Sequence, residues 1–315
     1  MESNLGTVLI AAPVHPVLTG GLAALGYSIN VQEHITQQEA ASLLSGCTGI
    51  IISTRLQLDK NLIDAAPQLK WIGRMGSGME VIDVPYAREK GIDCFSSPEG
   101  NCNAVGEHAI GMLLNLVCRI NVSNNEIKNN IWLRDENRGG ELEGKTIGII
   151  GFGHTGRSFA KKLQGFDMRI LAYDKYAIGG VPRYVTACQS LEAIYREADI
   201  VSFHVPLQPD TKYYFNREFM VKMKKPFILI NTSRGPVVEL NALYEGLDNK
   251  LITGACLDVY ETEPIVRMEP QMQQMVNKMI HYDNVIATPH IAGYTHEALY
   301  KMSRCLLEKI SARKG

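Results

Sequence analysis

A glycine fingerprint between two apolar runs, placed in mid-chain, constrains this sequence more than any other feature. Lys145-Thr146-Ile147-Gly148-Ile149-Ile150 reads as a buried strand, Gly151-Phe152-Gly153-His154-Thr155-Gly156 follows directly, and Arg157 to Gln164 reads as the helix it opens. A second apolar run, Met168 to Tyr173, ends on Asp174, eighteen residues after Gly156. Each glycine has its own task in such a strand–turn–helix: Gly151 permits the tight turn, Gly153 lets backbone approach a pyrophosphate, and Gly156 allows close helix–strand packing. The helix N-terminus offers N–H groups and the positive end of its dipole to phosphates. Asp174 can accept hydrogen bonds from both ribose hydroxyls and repels a 2′-phosphate, which favours NAD over NADP. A lone fingerprint is weak. Strand, helix, second strand and acid in register point to a dinucleotide site rather than a chance glycine turn.

The 315 residues suffice for two domains of ordinary size, and 45% hydrophobic with 21% charged residues describes a globular protein with a substantial core. A formal net charge of -1, without a dense basic run, argues against a nucleic-acid surface. The cysteines (47, 94, 102, 118, 188, 256 and 305) form no CxxC pair and no metal-ligand spacing, so no metal is expected. Their odd number and apolar surroundings suit a reducing cytoplasm. Thr7 to Ala12 is short, lacks a basic stretch before it and ends at Pro13, so it reads as a first strand rather than a signal peptide. No run approaches a membrane span.

Ahead of the fingerprint, strands and helices alternate. Val8–Ala11, Tyr27–Val31, Gly49–Ser53, Lys70–Gly73 and Ile92–Phe95 read as strands; Pro16–Leu25, Gln37–Leu44 and Asp59–Ala66 read as helices. Such alternation predicts an α/β domain with a parallel sheet and helices on both faces. Asn103 to Ile120 is a long apolar-rich helical stretch that carries the chain into the central domain. Asn121–Gly140 is too polar for a core; with Trp132 and Arg134 embedded in it, it suits an exposed arm or subunit contact, or equally a solvated loop. After Asp174 the strand candidates are Asp199–Val205, Phe227–Asn231, Thr253–Val259 and Asn284–Ala287, and Thr295–Ala312 reads as a terminal helix. A nucleotide domain in mid-chain makes the flanking domain discontinuous. Two crossings between domains make a hinge, which places an active site in a closing cleft.

Three stretches put ionisable residues at predicted strand ends, where α/β sheets present their ligands. Ile230-Asn231-Thr232-Ser233-Arg234-Gly235-Pro236 carries Arg234, whose planar fork of donors suits a carboxylate; alone, it reads better as a salt bridge. Leu257-Asp258-Val259-Tyr260-Glu261-Thr262-Glu263-Pro264 concentrates three acids, with a solvated acidic loop as the bland account. Ala287-Thr288-Pro289-His290-Ile291-Ala292-Gly293 sets His290 between a proline and small residues; a lone histidine is more often structural than catalytic. Arginine, acid and histidine together beside a nicotinamide site outweigh the bland readings.

These stretches, with Gly73-Arg74-Met75-Gly76-Ser77-Gly78, Gly106-Glu107-His108, the fingerprint with Asp174, and Ala198 to Leu207, resemble the D-isomer-specific 2-hydroxyacid dehydrogenase family in order and spacing over nearly the whole chain. The resemblance implies two doubly wound parallel-sheet α/β domains: an NAD-binding Rossmann domain (103–290, with a polar dimerisation arm at about 121–144) inserted in a flavodoxin-like substrate domain (1–102 plus 291–315), with a cleft between. It implies Arg234, Glu263 and His290 as catalytic residues. NAD contacts fall on Gly151, Gly153, His154, Thr155, Gly156, Asp174, His204, Pro206, Thr232 and Asp258, the last near the nicotinamide carboxamide. Gly76, Ser77 and Gly78 match a loop whose amides help bind the substrate carboxylate. The chemistry agrees: reducing a 2-oxo acid needs a hydride and a proton on the carbonyl oxygen, which His290 can supply. Glu263 beside it favours the charged ring and fixes its tautomer, and Arg234 anchors the carboxylate.

Within the family the sequence is most similar to short D-3-phosphoglycerate dehydrogenases, which implies serine biosynthesis and places Arg74 and Arg134 near a substrate phosphate, Arg134 reaching across a homodimer. Gly49-Ile50-Ile51-Ile52-Ser53 is apolar where those enzymes carry an arginine, with Arg55 close by. Glyoxylate or hydroxypyruvate reduction needs no phosphate site and is the main alternative. The run His290 to Thr295 also resembles erythronate-4-phosphate dehydrogenases. An NAD-sensing interaction module with weak catalysis is the alternative of a different class.

Overall fold

The computed structural model describes residues 5–176 and 179–313. It divides into two compact units, Met1–Cys102 with Tyr294–Gly315, and Asn103–Gly293. Among the described residues no helix is long and apolar enough to cross a membrane.

The first unit alternates β1 (Thr7–Ala11), α1 (Pro16–Ala24), β2 (Ser28–Val31), α2 (Gln37–Leu44), β3 (Cys47–Ile52), α3 (Lys60–Asp64), β4 (Trp71–Arg74), α4 (Val84–Glu89) and β5 (Asp93–Ser96). Its five strands are all parallel, in the order β2-β1-β3-β4-β5, the doubly wound order of flavodoxin. β3 is buried at every position, as a central strand covered on both faces must be. Polar side chains set where the helices start: Thr36 and Glu39 form a reciprocal capping box on α2, and Asp59 and Asp83 cap α3 and α4. Gly49 is required by packing, because a Cβ there would lie 2.2 Å from the Trp71 ring.

α5 (Pro98–Val117) starts five residues before the expected Asn103 and contains the first unit boundary. Gly100 and Asn101 look like helix breakers, yet a Cβ on Gly100 would lie 2.5 Å from the backbone nitrogen of Met302. The glycine admits close backbone approach and the helix continues through it. Then follow α6 (Ile120–Lys128), β6 (Thr146–Ile150), α7 (His154–Lys162), β7 (Arg169–Tyr173), β8 (Val185–Cys188), α8 (Glu192–Glu197), β9 (Ile200–Phe203), α9 (Arg217–Lys222), β10 (Phe227–Asn231), α10 (Leu240–Asp248), β11 (Ile252–Leu257), α11 (Pro270–Met279) and β12 (Val285–Ala287). The expected polar arm therefore holds a helix, α6, with no buried residue. β8 and the short helices α8 and α9 give too little periodicity to be read from sequence.

The second unit's seven parallel strands run β12-β11-β10-β9-β6-β7-β8. Consecutive residues of each strand serve opposite faces. Ile150, Val201, Leu229 and Ala255 enter one core, with Phe203, Phe215, Phe219 and Phe227. Ile149, Ile200, Ile230 and Cys256 enter the other, with Phe159 and Leu113. Burial on both faces explains why these strands read as unbroken apolar runs.

α12 (His296–Ser311), capped by Thr295, returns to the first unit. The second boundary falls at Gly293/Tyr294 rather than at residue 291. The reason is local: the N–H groups of Ile291 and Ala292 donate to the Asp258 carboxylate at 2.8 Å each and keep those residues with the second unit.

Lys309 of α12 donates to both Glu99 oxygens at 2.9 Å and to the Ser96 carbonyl at 2.8 Å. Burial raises the Glu99 carboxyl, but Lys309, its own backbone N–H and the Cys305 thiol outweigh this and hold it down at about 2. A depressed folded value means the stabilisation is present above 4.5 and lost as pH falls from there through about 2. Glu99→Gln should therefore lower the melting temperature at neutral pH, with the gap to wild type closing as the medium is acidified through that window. A pH-independent gap would assign the loss to packing.

Candidate active site

At the end of β6, Gly151 takes φ 92°, and a Cβ there would lie 2.5 Å from the His204 carbonyl. A Cβ on Gly156 would lie 2.1 Å from the Gly151 carbonyl, whereas one on Gly153 would meet nothing within 4 Å. Two glycines are thus demanded by the protein's own backbone, and the third faces open space. Gly153 is the N-cap of α7 and supplies no side-chain cap, so the helix begins at His154 and its first N–H groups are left for an anion. His154 is exposed and Thr155 half-buried on that first turn.

Asp174, just beyond β7, accepts the Phe152 N–H at 2.7 Å on one oxygen and the Tyr176 N–H at 3.1 Å on the other. It holds the glycine loop from behind, and a carboxylate has lone pairs left for hydroxyl donors. Asp174→Ala should weaken NADH binding and narrow the preference over NADPH, read as the ratio of the two dissociation constants. An unchanged ratio would mean that the carboxylate does not face the ribose.

At the ends of β9 and β10, His204 Nδ1 and Thr232 Oγ1 are buried and have no hydrogen-bond partner among the described residues. Burial pushes the His204 imidazole down to about 3, so the ring is neutral, with Nε2 2.8 Å from Ser202 Oγ. Leaving a buried polar atom unpaired costs about 1–3 kcal/mol. A dinucleotide lying across these strand ends would supply the partners, and together with the open Gly153 it makes the residues present fit NAD. Pro206 is exposed, its carbonyl accepting the Thr211 hydroxyl at 2.6 Å.

The loops after β10, β11 and β12 bring ionisable residues together. His290 Nδ1 lies 2.6 Å from Glu263 Oε2, and Glu263 Oε1 accepts the Tyr260 N–H at 3.0 Å. Burial raises the Glu263 carboxyl, but the His290 and Tyr260 hydrogen bonds and the charges of His290 and Arg234 outweigh it and hold it below its ordinary value. An ionised carboxylate only accepts, so Nδ1 carries a proton toward Glu263 and Nε2 is the nitrogen turned to other chemistry. His290 takes φ 57°, a left-handed conformation that few non-glycine residues adopt, and its N–H donates to the Asp258 carbonyl at 2.8 Å.

Asp258 follows β11 directly. It is 1% exposed, and its carboxylate accepts the Thr288 hydroxyl at 2.6 Å and the Ile291 and Ala292 N–H groups at 2.8 Å. Its place is that of an anchor for the His290 loop. Arg234 donates from Nη1 to the Ser233 carbonyl at 2.7 Å, in a loop folded around Asn231, which accepts from Ser233 and donates to the Arg234 carbonyl. Glu261, the third acid of its stretch, caps Leu240 N–H at 2.7 Å and accepts the Tyr213 hydroxyl at 2.8 Å.

In the first unit, the loop after β4 carries Gly76, Ser77 and Gly78. Gly76 (φ 137°) donates its N–H to Ser97 Oγ at 2.9 Å. Ser77 donates its hydroxyl to Asn101 at 3.1 Å. Arg74, read as a phosphate ligand, is 8% exposed; its Nη1 donates to the Met75 carbonyl at 2.9 Å, and its guanidinium lies where a Gly76 Cβ would be. Arg55 is committed to the Glu33 carbonyl at 2.8 Å and His34 Nδ1 at 3.0 Å. Arg134, in the turn after α6, is exposed.

The model of the D-isomer specific 2-hydroxyacid dehydrogenase NAD-binding domain matches residues 110–292, more than half of the chain. This chain belongs to that family. The match includes the glycine loop and the Glu263–His290 pair, and it makes the chain an NAD-dependent oxidoreductase. Relatives include the hydroxypyruvate reductase of Thermotoga maritima, 35% identical over 285 residues and 90% of both chains. The glyoxylate reductase of Thermofilum pendens is 37% identical over 81% of this chain and 75% of its own. The D-3-phosphoglycerate dehydrogenase of Methanocaldococcus jannaschii is 32% identical over 96% of this chain; the chain spans only 56% of that protein. Among solved structures, the Aquifex aeolicus D-lactate dehydrogenase complexed with NAD and lactic acid superposes with a TM-score of 0.83, at 28% identity over 97% of this chain and 94% of that one.

His108, which lies 3.0 Å from Thr288 Oγ1, and Asn231, which shapes the Arg234 loop, have places in the site that the sequence alone did not reveal. The motif Gly106-Glu107-His108 was the available signal for the first. For the second, only the polar residue closing an apolar strand hinted at it.

Proposed function

We propose that this dehydrogenase interconverts a short 2-oxo acid and its D-2-hydroxy acid, with Arg234, Glu263 and His290 as the catalytic residues. The observation that carries the reading is the 2.6 Å His290–Glu263 pair on strand-end loops of the same parallel sheet that bears the dinucleotide loop. When bound, the nicotinamide supplies the hydride to C2 or takes it up in the reverse direction. His290 Nε2 gives a proton to the 2-oxo oxygen during reduction and recovers it from the hydroxyl during oxidation. Glu263 holds the ring by Nδ1 and compensates its charge. Arg234, its loop fixed by Asn231, holds the carboxylate with its fork of donors and draws charge from the 2-oxo group. In the first unit, the Ser77 and Gly78 N–H groups have no acceptor among the described residues of that unit and stay substrate-binding candidates.

For the acid itself we propose an unphosphorylated three-carbon substrate of the hydroxypyruvate type. Arg74 is folded inward, Arg55 is committed to Glu33 and His34, and β3 ends on Ile52, so the basic residues expected for a phosphate are engaged elsewhere. Exposed Arg134 supports the second reading, 3-phosphohydroxypyruvate in serine biosynthesis, through a neighbouring copy. Exposed Ile127, Ile131, Trp132 and Leu133 support 121–144 as the arm that meets such a copy. NADH oxidation followed in parallel with hydroxypyruvate, glyoxylate, pyruvate and 3-phosphohydroxypyruvate tests both. We expect the highest kcat/KM on hydroxypyruvate, insensitive to Arg134→Ala. A preference for the phosphorylated acid that Arg134→Ala abolishes would overturn that reading in favour of the second. A reducing cytoplasm remains the compartment in keeping with the reading.

A further inference from the structure

The motif Gly106-Glu107-His108 lies on α5, and the proposed chemistry uses none of its side chains. Two of the three are explained by packing on α7: a Cβ on Gly106 would sit 3.1 Å from Phe159 N, and Glu107 pairs with Lys162 at 3.2 Å. His108 remains.

Counting protons fixes its state. Thr288 has one hydroxyl proton, and at 2.6 Å from Asp258 Oδ1 that proton is given to the carboxylate, which can only accept. His108 Nε2, 3.0 Å from the same hydroxyl oxygen, must therefore be the donor. Nε2 also lies 3.7 Å from Asp258 Oδ1. Among the described residues, Asp258 and Thr288 are the polar groups that face the His108 ring, while Glu107 beside it faces Lys162.

The chain of bonds runs from α5 to His290. His108 pins Thr288, Thr288 with the buried Asp258 closes the base of the loop, and Asp258 takes the Ile291 and Ala292 N–H groups while its carbonyl takes that of His290. His290 holds a left-handed backbone, which persists only where the surroundings over-determine it. Without the Nε2–H bond, Thr288 Oγ1 has no donor partner, and its own proton is left between Asp258 Oδ1 at 2.6 Å and the weak acceptor Met112 Sδ at 3.9 Å.

We infer that His108 is a positioning residue for the acid–base step, orienting through Thr288 the Asp258 carboxylate that holds His290 in register. This rests on the reading of His290 as the proton donor. Small displacements of a reacting group remote from the mutated site cost about 10- to 100-fold in rate.

The test compares His108→Ala, His108→Gln, Thr288→Val, the double variant His108→Ala/Thr288→Val, and His290→Ala, all in the full chain. His108→Ala should lower kcat at least about tenfold with KM for NADH unchanged. His108→Gln, whose terminal amide N–H reaches where Nε2–H does, should restore most of it. Thr288→Val should match His108→Ala, and the double variant should be no worse than either single one, as expected for one connected unit. Independently of turnover, the amide resonances of Ile291 and Ala292 should shift in His108→Ala and return in His108→Gln. Normal kcat in a folded His108→Ala, an equally impaired His108→Gln, or additive losses would overturn the inference. Full turnover by His290→Ala would instead sink the acid–base reading beneath it, whatever the amides do.

Discussion

His290→Ala should lower kcat by about 10²- to 10⁴-fold, the range associated with a positioned proton donor. The dissociation constant for NADH should stay within about twofold of wild type, since the effect lies in the chemical step alone. The glycine loop, Asp174 and His204 lie at other strand ends and keep their hydrogen bonds when the imidazole is removed, and Thr232 follows a different strand from His290. Glu263→Gln should fall in between, because a neutral amide still reaches Nδ1 but no longer compensates a charged ring. Because Glu263 is depressed, its contribution is present above the ordinary 4.5 and fails as pH drops through the lowered value. Wild-type turnover should therefore decline on the acid side below 4.5 with a limb that Glu263→Gln lacks. Near-normal kcat in His290→Ala, measured by NADH oxidation under saturating substrate, would remove the acid–base assignment.

The second large effect falls on Gly156. Any side chain there must start 2.1 Å from the Gly151 carbonyl and 3.3 Å from Ile149 Cγ2, and the oxygen belongs to backbone that is itself held in a turn. Overpacking of this kind costs about 1–3 kcal/mol. Gly156→Val should lower the melting temperature by several degrees. With each 1.4 kcal/mol worth a factor of about ten, NADH should bind roughly ten- to a hundredfold more weakly. Gly153→Ala is the control with the opposite signature. Its Cβ would meet nothing within 4 Å, so the melting temperature should hold while NADH binding weakens. Calorimetric titration and thermal melts of the two variants separate a packing glycine from a ligand-facing one. Normal NADH affinity in Gly153→Ala would mean that the loop does not cradle the pyrophosphate.

Much of this was readable from local pattern. α2 and β10 have the bounds their sequences predict, Gln37–Leu44 and Phe227–Asn231. The fingerprint lies where an apolar strand, a turn and a helix follow one another within twenty residues, so each piece of information is local. Asp174 was legible for the same reason, as the acid ending the next strand. β8 was not: two of its four residues are exposed, and an edge strand half in solvent carries no apolar run. α5 was misjudged at its start because Gly100 is disfavoured in a helix by its own propensity, and only the close approach of Met302 explains it. Arg74 was legible as a basic residue beside a glycine loop, but its direction was not. It folds onto Gly76 because that glycine leaves the space a Cβ would fill.

The sequence by itself determined that the chain alternates strands and helices, that its central sheet is buried on both faces, and that it carries a dinucleotide loop and three strand ends bearing an arginine, acids and a histidine. These follow from periodicity and spacing, which act over a few residues. Tertiary structure alone decided which of those side chains meet: that Glu263 grips His290, that Asp258 is an anchor for a loop some thirty residues away, and that His108 reaches Thr288 across 180 positions. A hydrogen bond is set by angstroms between atoms. Where two strand ends converge depends on register and crossover throughout the sheet, and no short window of sequence holds that information.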